Sequence, residues 1–529
     1  MLKKKLALIL CLCLAVTTIF GCGKSGDTGS QGSTSGGKKV LTWNNGPECS
    51  TMDPGLNSGN DASQMFEHMY EGLLREVDNK MEPAMAESYD VSEDNLTYTF
   101  HLRDAKWSDG VAVKAGDFEF AWKRALDPEV ASPYQWIFEA ACIESFKAID
   151  DKTFEVKLSS NAPYFLSLLC TSTFLPLRED KIDYKDGGWA LDPSRVVTNG
   201  PFTMTSYVSG DKLVLEKNQE YWEKDKIKLD EIDVLMITDA TTALTGFESG
   251  EIDCLREVPP AEIPRLLSEN STFTTVPANG SSYICFNQAR KPFDDVRVRK
   301  ALTLAINRTA IVNDVTKGGQ IPATCIVPGV IYDSDGKSFP EVAGDHGIAI
   351  DDSKFDEAKQ LLADAGYPNG EGFPTVEYLY NTSDTNKAVA ETLQQMWKEN
   401  LGITVNLVNM ESSVFHQTRV AHNFDICNGG WGGDYNDPLT YLDMFIPDAM
   451  PNYSDWRNEE YTNLVNAGKN TVGKERFDDF YKAEKILMDE ACYCPLYYSV
   501  NQQMVSKSVT NWSMTTTGLY NFNYADISK

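Results

Sequence analysis

The sequence lacks a hydrophobic run that is long enough to cross a membrane. Its N-terminal apolar stretch extends from Leu6 to Phe20 and is shorter than the ~20 residues that a membrane-spanning helix needs. Lysines at positions 3 to 5 precede this stretch, and a basic start followed by a short apolar run is typical of a signal peptide. We therefore expect residues 1–21 to be a signal peptide and the remaining chain to be secreted.

Basic residues are scarce relative to acidic ones. The chain has 48 lysines and arginines against 77 aspartates and glutamates, which gives a formal net charge of -29. Removal of the three lysines at positions 3 to 5 with the signal peptide changes -29 to -32. A charge of this sign opposes binding to phosphate backbones and to anionic lipid surfaces, so we expect no nucleic-acid partner.

Cysteines are too few and too irregularly spaced for a disulfide framework. Of the 12 cysteines, Cys11 and Cys13 lie in the signal peptide and Cys22 follows it, which leaves nine. An odd number cannot all pair within one chain, and no CxxC pair occurs. The sequence therefore supports neither a disulfide framework nor a zinc site, and the oxidation state of the nine stays open.

Recognisable catalytic motifs are also absent. The five histidines are His68, His101, His346, His416 and His422, and none of them lies in an HExxH motif. The chain has no GxSxG motif and no phosphate-binding loop, and its many acids select no particular pair. We therefore expect a binding protein with no metal and no cofactor, and a secreted hydrolase is the alternative from another class.

The end of the apolar stretch resembles the lipobox of bacterial lipoproteins. It reads Ile19-Phe20-Gly21-Cys22, and this resemblance implies that Cys22 is lipidated and becomes the new N-terminus. Residues 23–37 are rich in glycine and serine and cannot bury enough apolar surface to fold. We expect residues 22–37 to be a lipidated cysteine with a flexible tether, and the protein to be lipid-anchored to the cell membrane on its extracytoplasmic face.

The remaining ~490 residues have the patterns of a mixed α/β protein with two or three cores. Residues 96–102 alternate apolar and polar side chains, which predicts a half-buried strand. Helical spacing of apolar residues predicts four helices. The first is capped by Asp117, the second lies within 296–317, the third begins with a capping box of Ser353 and Asp356, and the fourth spans 386–400. Residues 232–254 predict a strand, a helix and a second strand.

Several stretches are similar to one known family. They are LRDAKWSDGVAVKAGDFEFAWKRALDP (102–128), VVTNGPF (196–202), FNQARKPFDDVRVRKALTLAINR (286–308), DEAKQLLADAGYPNGEGFP (356–374) and GGWGGDYNDP (429–438). In this order they resemble the peptide-binding lipoproteins of bacterial ABC importers. The resemblance extends from about residue 40 to near the C-terminus.

The resemblance implies an α/β, two-lobed periplasmic-binding-protein-like fold of the cluster C type with an additional inserted domain. The implied first lobe is discontinuous, and the implied ranges are 38–60, 186–285 and 502–529 for the first lobe, 61–185 for the inserted domain and 286–501 for the second lobe.

The resemblance also implies a peptide site. Asp434 matches the aspartate that accepts the α-ammonium of the peptide, and Asp437 before Pro438 is interpreted as structural. Backbone pairing with the peptide is implied for two segments, Glu48, Cys49 and Ser50 on one side and Gly430, Trp431 and Gly432 on the other.

Two further positions are implied near the peptide. Tyr134 matches a region that lies beside the peptide in relatives, and Arg419 corresponds to an arginine that can receive the peptide carboxylate. A second cationic position that some relatives have is Asn428 in this chain, which leaves the mode of holding the C-terminus open.

The implied function is the capture of oligopeptides by a monomer that delivers them to the permease subunits of an ABC transporter. The alternatives are a member of the same family that binds a dipeptide, a nickel chelate, haem, an oligosaccharide or a signalling peptide, and a receptor subunit that senses peptides and signals through a partner.

Overall fold

The computed structural model describes residues 37–77, 80–269, 272–447, 449 and 451–528. The predicted signal peptide, the lipidation site Cys22 and residues 23–36 of the predicted tether lie outside the described residues.

The strands of the described chain are short except for two of 14 and 13 residues. They are β1 (Val40–Asn44), β2 (Leu74–Val77), β3 (Lys80–Pro83), β4 (Ala86–Val91), β5 (Thr97–Leu102), β6 (Ile143–Ala148), β7 (Thr153–Leu158), β8 (Phe202–Val208), β9 (Lys212–Lys217), β10 (Glu231–Leu235), β11 (Cys254–Leu255), β12 (Phe273–Phe286), β13 (Ile321–Pro322), β14 (Val376–Asn381), β15 (Val405–Met410), β16 (Ile426–Gly432), β17 (Tyr493–Val505), β18 (Val509–Thr510), β19 (Ser513–Met514), β20 (Tyr520–Asn521) and β21 (Asp526–Ile527).

The α-helices are spread along the whole described chain. They are α1 (Asn60–Met69), α2 (Ala115–Leu126), α3 (Ile137–Ala140), α4 (Phe165–Leu168), α5 (Ala240–Ser249), α6 (Ile263–Ser268), α7 (Val296–Leu304), α8 (Arg308–Ala310, followed by the π-helical turn Ile311–Thr316), α9 (Phe339–Ala343), α10 (Phe355–Asp364), α11 (Asp384–Leu401), α12 (Ser412–Val420), α13 (Leu439–Leu442), α14 (Glu459–Asn470) and α15 (Gly473–Asp489). Short 3₁₀ turns occupy Pro54–Leu56, Ser172–Phe174, Gly187–Leu191, Lys224–Lys226, Pro260–Glu262, Pro368–Gly370 and Asp443–Phe445.

One large mixed sheet organises the molecule. Its strand order is β15-β14-β16-β12-β17-β11-β1-β10-β9-β8, and β13 pairs with β17 beside this path. The first strand, β1, is parallel to β10 and β11, whereas β12 is antiparallel to both β16 and β17. The strands on either side of the β12–β17 pair therefore form two separate groups.

The long strands β12 and β17 belong to both groups. Residues 273–277 of β12 pair with residues 500–504 of β17, and residues 281–285 pair with residues 493–498. The register shifts between Pro277 and Ser281, where β12 has more residues than its partner. Such an irregularity bends a strand pair, so each long strand continues from one lobe into the other through a bend.

A second sheet of four strands has the order β4-β5-β7-β6. Its middle strand β5 buries every second residue, Tyr98, Phe100 and Leu102, as the alternation predicts. Trp122 of α2 lies fully buried against Phe154 of β7, with ring centroids 4.9 Å apart. This sheet and α2 thus pack aromatic side chains between them, and these side chains are continuous with the main hydrophobic core.

Helix α11 spans Asp384–Leu401 and so covers the range 386–400 that the sequence predicts. The Ser383 hydroxyl accepts a hydrogen bond from the Asn386 amide at 3.4 Å, and Gly402 ends the helix in the left-handed conformation with a φ of 71°. In α2, by contrast, Asp117 is not the N-cap residue as predicted. Its carboxylate lies in the first turn and accepts a hydrogen bond from the Lys114 amide at 2.9 Å.

Two other helix predictions were wrong in detail. The capping box of Ser353 and Asp356 is absent, because Asp351 accepts the Ser353 amide at 3.0 Å and the helix begins at Phe355. The single helix expected within 296–317 is broken after Leu304, since the Asn307 side chain caps a new turn.

A buried ion pair joins distant segments on the β1 side of the molecule. The carboxylate of Asp53 accepts hydrogen bonds from both terminal nitrogens of Arg124 at 3.0 and 2.7 Å, and neither side chain is exposed. The Trp189 indole donates to the same carboxylate at 3.2 Å. The pair therefore connects the loop after β1, helix α2 and the turn at 187–191.

The described residues contain no helix that is both long and apolar enough to cross a membrane. All nine cysteines of the described chain are free thiols. Across residues 37–528, apart from those not described, no group of three or more histidines, cysteines and acids could hold a metal ion.

One buried carboxyl group has no cation beside it. Glu484 of α15 is fully buried, and its Oε1 accepts hydrogen bonds from the Ile326 amide at 2.7 Å and the Tyr493 hydroxyl at 3.0 Å. Its second oxygen, Oε2, has no hydrogen-bond partner among the described residues. Burial raises the pKa of Glu484 to about 7, well above its ordinary value of 4.5.

We predict that Glu484 makes the protein less stable at alkaline pH. The folded state holds this proton up to about pH 7 and the unfolded state only up to 4.5, so the free energy of unfolding falls as the pH rises between these values. Glu484→Gln should remove about 3 kcal/mol of this fall. Urea unfolding at pH 5 and pH 8 measures it, with Glu87→Gln, an exposed position, as the control. Equal pH dependence in wild type and Glu484→Gln would contradict the prediction.

Candidate functional site

A cavity of about 730 Å³ lies beside the middle of the long strands, within the size range of ordinary ligand sites. Its lining comes from residues 57–77, Tyr134, residues 167–175, residues 278–282 of β12, residues 430–436 of β16 and its following loop, residues 497–501 of β17 and residues 513–524. The structure thus brings together five of the predicted site residues, namely Tyr134, Gly430, Trp431, Gly432 and Asp434.

Strand β16 has an open edge at this cavity. On one side, residues 430–432 pair with residues 280–282 of β12. On the other side, β14 pairs only with Ile426 and Cys427. Within the described chain, the edge of β16 from residue 428 onward therefore has no neighbouring strand. Apart from the Asn428 carbonyl, which accepts from Arg419, its backbone amide and carbonyl groups are available to a strand that a ligand supplies.

The four glycines at the end of β16 and directly after it differ in how closely other atoms of the chain approach them. A Cβ atom at Gly429 would lie 2.3 Å from the Tyr283 ring, and one at Gly433 would lie 2.4 Å from the Asn279 side chain. At Gly430 and Gly432 the nearest atoms would be 3.7 and 4.0 Å away. The outer pair is therefore required for packing within the chain, whereas the inner pair leaves the cavity side of the strand open.

Trp431 is half-buried and its indole is held by a hydrogen bond. The Nε1 atom donates to the Thr440 hydroxyl at 3.3 Å, and the Asp434 amide donates to the same hydroxyl at 3.3 Å. Thr440 thus links the end of β16 to the loop that carries Asp434.

The carboxylate of Asp434 lies in the cavity and accepts a hydrogen bond from the Tyr134 hydroxyl. Burial raises the pKa of Asp434, and this hydrogen bond acts in the opposite direction. Burial and the charge of Asp434 raise the pKa of Tyr134 to about 12. Among the described residues, no cationic side chain forms an ion pair with Asp434. A buried carboxylate is unfavourable unless it is paired with a cationic group.

Asn279 of β12 supports the loop after β16. Its side-chain amide donates to the backbone carbonyls of Tyr435 at 3.2 Å and Gly433 at 3.4 Å. The backbone carbonyl of Asn279 accepts a hydrogen bond from the Gly433 amide at 2.9 Å. The Tyr441 hydroxyl donates to the Asn279 side chain at 2.8 Å. The loop is therefore attached to β12 at the bend between the lobes.

Asp437 is structural, as the sequence indicates, but through a partner that the sequence does not reveal. Its carboxylate accepts the Leu439 amide at 2.9 Å and both terminal nitrogens of Arg476 at 2.6 and 2.7 Å. Arg476 is 2% exposed and Asp437 is 9% exposed. This buried ion pair attaches the loop to α15.

The predicted segment Glu48, Cys49 and Ser50 lies away from the cavity lining. Glu48 accepts hydrogen bonds from the Tyr207 hydroxyl and from the Ser209 hydroxyl, the latter at 3.0 Å. The Ser50 amide donates to Asp61 at 3.0 Å. Its pairing with a ligand stays a prediction.

Arg419 also lies outside the cavity lining. Its guanidinium stacks on the Tyr453 ring at 3.9 Å, donates to the Tyr453 hydroxyl at 3.2 Å and donates to the Asn428 carbonyl at 3.4 Å. Its Nε atom is buried and has no hydrogen-bond partner within the described residues. Its contact with a peptide carboxylate likewise stays a prediction.

Sequence reasoning missed the charged wall of the cavity that α1 and β2 form. This wall contains Glu67, Glu71, Arg75 and Glu76. It also missed Asn279 and Arg476, because their partners lie 156 and 39 positions away and no local motif marks them.

We predict opposite effects on stability for two aspartates that are three positions apart. Asp437→Asn should cost about 3–5 kcal/mol, because it leaves the buried Arg476 guanidinium without a counter-charge. Asp434→Asn should cost nothing or stabilise the protein slightly, because the ionised form of Asp434 is disfavoured by burial. Urea unfolding at pH 7.5 compares the two variants. Equal losses in both would show that the two carboxylates have the same structural role.

Comparisons with known proteins agree on one family. The model of the bacterial extracellular solute-binding proteins, family 5 middle, matches residues 80–487. The oligopeptide-binding protein OppA of Bacillus subtilis is 34% identical to this chain, with 99% of each chain covered. The dipeptide-binding protein DppE of the same organism is 34% identical with 96% of each covered. The periplasmic oligopeptide-binding protein OppA of Salmonella typhimurium is 33% identical with 90% of each covered.

Solved structures show the same fold. The periplasmic murein tripeptide-binding protein MppA in its unliganded open form overlays with a TM-score of 0.82 at 28% identity, covering 93% of this chain and 98% of MppA. The Haemophilus influenzae OppA complex with the peptide RPPGFSPFR overlays with a TM-score of 0.70 at 28% identity, covering 93% of this chain and 100% of the OppA chain.

These matches confirm the expected two-lobed α/β fold and the expectation of a solute-binding protein rather than an enzyme. They also confirm the extracytoplasmic location. Because the family model spans residues 80–487 and the relatives align over nearly the whole chain, the protein belongs to the bacterial extracellular solute-binding proteins of family 5.

Proposed function

We propose that the protein captures oligopeptides in the cavity between its lobes and delivers them to the permease subunits of an ABC importer. The observation that carries this proposal is the open edge of β16 directly before Asp434. An extended peptide presents backbone groups to such an edge and a charged amine at its end, whatever its side chains are.

The backbone of Gly430, Trp431 and Gly432 supplies one set of hydrogen bonds to the peptide. Pairing through β16 is favoured because the inner glycines have no side chain on the cavity side. Backbone pairing is independent of peptide sequence, and water in the remaining cavity can complete contacts to varied side chains. The site is therefore suited to broad specificity.

The carboxylate of Asp434 receives the α-ammonium of the peptide. It has the burial, the position at the end of β16 and the lack of a cationic partner among the described residues that this role requires. The Tyr134 hydroxyl donates to Asp434. We propose that Tyr134 stays in this contact and helps to enclose the amine.

Closure of the lobes brings the second set of contacts. The chain overlays more closely on an unliganded open relative than on a peptide-bound one, which supports an open arrangement here. We propose that closure through the bend in β12 and β17 moves Glu48, Cys49 and Ser50 against the other edge of the peptide, and brings Arg419 within reach of its carboxylate.

The domain boundaries that we propose are 38–60, 186–285 and 502–529 for the first lobe, 61–185 for the inserted domain and 286–501 for the second lobe. Three features support them: the position of the bend within β12, the position of the bend within β17, and the separate four-stranded sheet between Ala86 and Leu158. We also propose that the protein acts as a monomer.

We predict that the protein purified without denaturation retains peptides. Native mass spectrometry should show a ladder of bound peptide masses in wild type and in Glu87→Gln, and a depleted ladder in Asp434→Asn. Loss of the buried charge pair should weaken binding by about 2–5 kcal/mol. Acetylation of the peptide amine should weaken binding to wild type by the same amount as Asp434→Asn does. It should cause no further loss of affinity in Asp434→Asn. An empty protein, or one non-peptide mass, would refute the proposal.

We further propose that the protein is anchored to the membrane through a lipid on Cys22. The expected result is that the wild-type protein partitions into detergent and incorporates labelled fatty acid. Cys22→Ser should abolish both properties, because the thiol that carries the lipid is lost. Cys13→Ser, within the signal peptide, is the matched control and should behave as wild type. Unchanged partitioning of Cys22→Ser would refute the anchor.

A further inference from the structure

We propose that Glu67 and Glu76 form a cation-binding subsite of the cavity that takes a lysine or arginine side chain of the bound peptide. This inference rests on the proposed peptide-binding function and adds a preference for one chemical class of peptide. It concerns the wall of the cavity that α1, β2 and the C-terminal residues 513–524 form.

The carboxylates of this subsite are held in place by neutral donors. Glu67 accepts a hydrogen bond from the Asn521 side chain at 2.7 Å. Glu76 accepts from the Thr516 amide at 2.9 Å and from the Thr516 hydroxyl at 3.3 Å. Both carboxylates are thus oriented at the cavity wall without being neutralised.

The wall itself is fixed by contacts between α1 and the C-terminal segment. The Gln64 side chain donates to the Gly518 carbonyl at 3.0 Å and accepts the Tyr520 amide at 2.9 Å. The buried His68 accepts the Phe522 amide at 3.0 Å. Because these contacts lie inside the wall, the positions of Glu67 and Glu76 do not depend on a ligand.

The remaining charges of the wall are already paired. Glu71 accepts hydrogen bonds from Arg75 at 3.2 Å, from the Tyr221 hydroxyl at 3.1 Å and from the Trp222 indole at 2.6 Å. Arg75 also forms an ion pair with Glu223 at 3.4 Å. Arg75 is the one cationic side chain among the described residues that line the cavity, and these two carboxylates occupy it.

The lining of the cavity therefore has an excess of negative charge. It contains four carboxylates, those of Glu67, Glu71, Glu76 and Asp434, against the single guanidinium of Arg75. With Asp434 assigned to the peptide amine and Glu71 to Arg75, two carboxylates remain for the ligand. Side chains that carry a positive charge match them, whereas acidic side chains are repelled.

Unsatisfied polar atoms of two lining residues point independently to a ligand at this wall. Tyr70 is 4% exposed, and its hydroxyl has no hydrogen-bond partner among the described residues. The same is true of Asn523 Oδ1, and the Asn523 side-chain amide donates to the backbone carbonyl of Glu67 at 3.0 Å. Buried polar atoms are seldom left unpaired, so a ligand group rich in N–H donors completes the acceptors here.

The electrostatics of Glu67 agree with this assignment. Burial raises the pKa of Glu67 to about 7, the nearby Glu76 and Glu71 act in the same direction, and Arg75 acts in the opposite direction. His68, on the same helix, is neutral near pH 7, because burial lowers its pKa to about 4. A cationic side chain beside Glu67 restores its ionised form. The preference for such peptides should therefore be larger at pH 8 than at pH 5.5.

The test uses a series of five-residue alanine peptides in which each position in turn carries lysine or its uncharged analogue norleucine. Isothermal titration calorimetry on the purified protein gives the ratio of the two Kd values at each position. We expect wild type to bind lysine about tenfold more tightly at one position, because a hydrogen bond between charged groups is stronger than one between neutral groups. In Glu67→Gln with Glu76→Gln the ratio should fall to about one.

Glu87→Gln removes the same charge from an exposed position of β4 and should keep the wild-type ratio. The single variants Glu67→Gln and Glu76→Gln should each reduce the ratio, which keeps the test valid if the double variant does not fold. A third arm titrates Ca²⁺ alone, since a metal ion has the same charge chemistry. Calcium binding that the double variant abolishes, without a lysine preference, would overturn the proposal.

The remaining outcomes distinguish failure of the subsite from failure of the proposed peptide-binding function. If wild type binds the all-alanine peptide but shows no lysine preference at any position, the subsite is refuted and peptide capture stands. A preference that persists unchanged in the double variant refutes the subsite as well. If wild type binds none of these peptides, and native mass spectrometry detects no retained peptide either, the proposed function fails. The subsite then fails with it.

Discussion

The pairing of β12 with β17 is the constraint on which the rest of the structure depends. These two strands contribute to the sheets of both lobes, and their register shifts between Pro277 and Ser281. The same stretch lines the cavity, and Asn279 within it holds the loop that carries Asp434. Opening of the lobes and the geometry of the ligand site are therefore coupled through one short segment of backbone. A bend in paired strands is well suited to this role, because hydrogen bonds on either side keep each lobe rigid.

The loop after β16 shows how a functional carboxylate is separated from structural ones. Asp437 is neutralised by Arg476 and packed into the second lobe, whereas Asp434 has only neutral partners among the described residues. Burying an unpaired carboxylate is unfavourable unless a cationic group compensates for it, and we propose that a ligand amine does so here. At the other wall, Glu71 is neutralised by Arg75, and Glu67 and Glu76 are not. Carboxylates of the cavity lining that have no cationic partner thus indicate that a complementary ligand carries positive charge.

Much of the fold could be predicted from local patterns. The alternation in β5 and the position of α11 were predicted correctly, because period-two burial and the helical spacing of apolar residues are local patterns. The errors have local causes as well, since Asp351 competes with Ser353 and Asn307 starts a new turn. Of the site, Asp434 and residues 430–432 were named through their family resemblance. Glu48, Cys49, Ser50 and Arg419 lie outside the cavity lining.

The sequence by itself determined the acidic character of the chain, its mixed α/β class and the family to which it belongs, because these depend on composition and on short motifs. Only the tertiary structure decided which edge of β16 is open, which aspartate is paired with Arg476, and which glutamates share a wall with the C-terminal segment. These facts depend on contacts between residues as far apart as Glu67 and Asn521, 454 positions along the chain. Charge and hydrogen bonding at the site are set by such partners, and no local pattern in a single sequence specifies them.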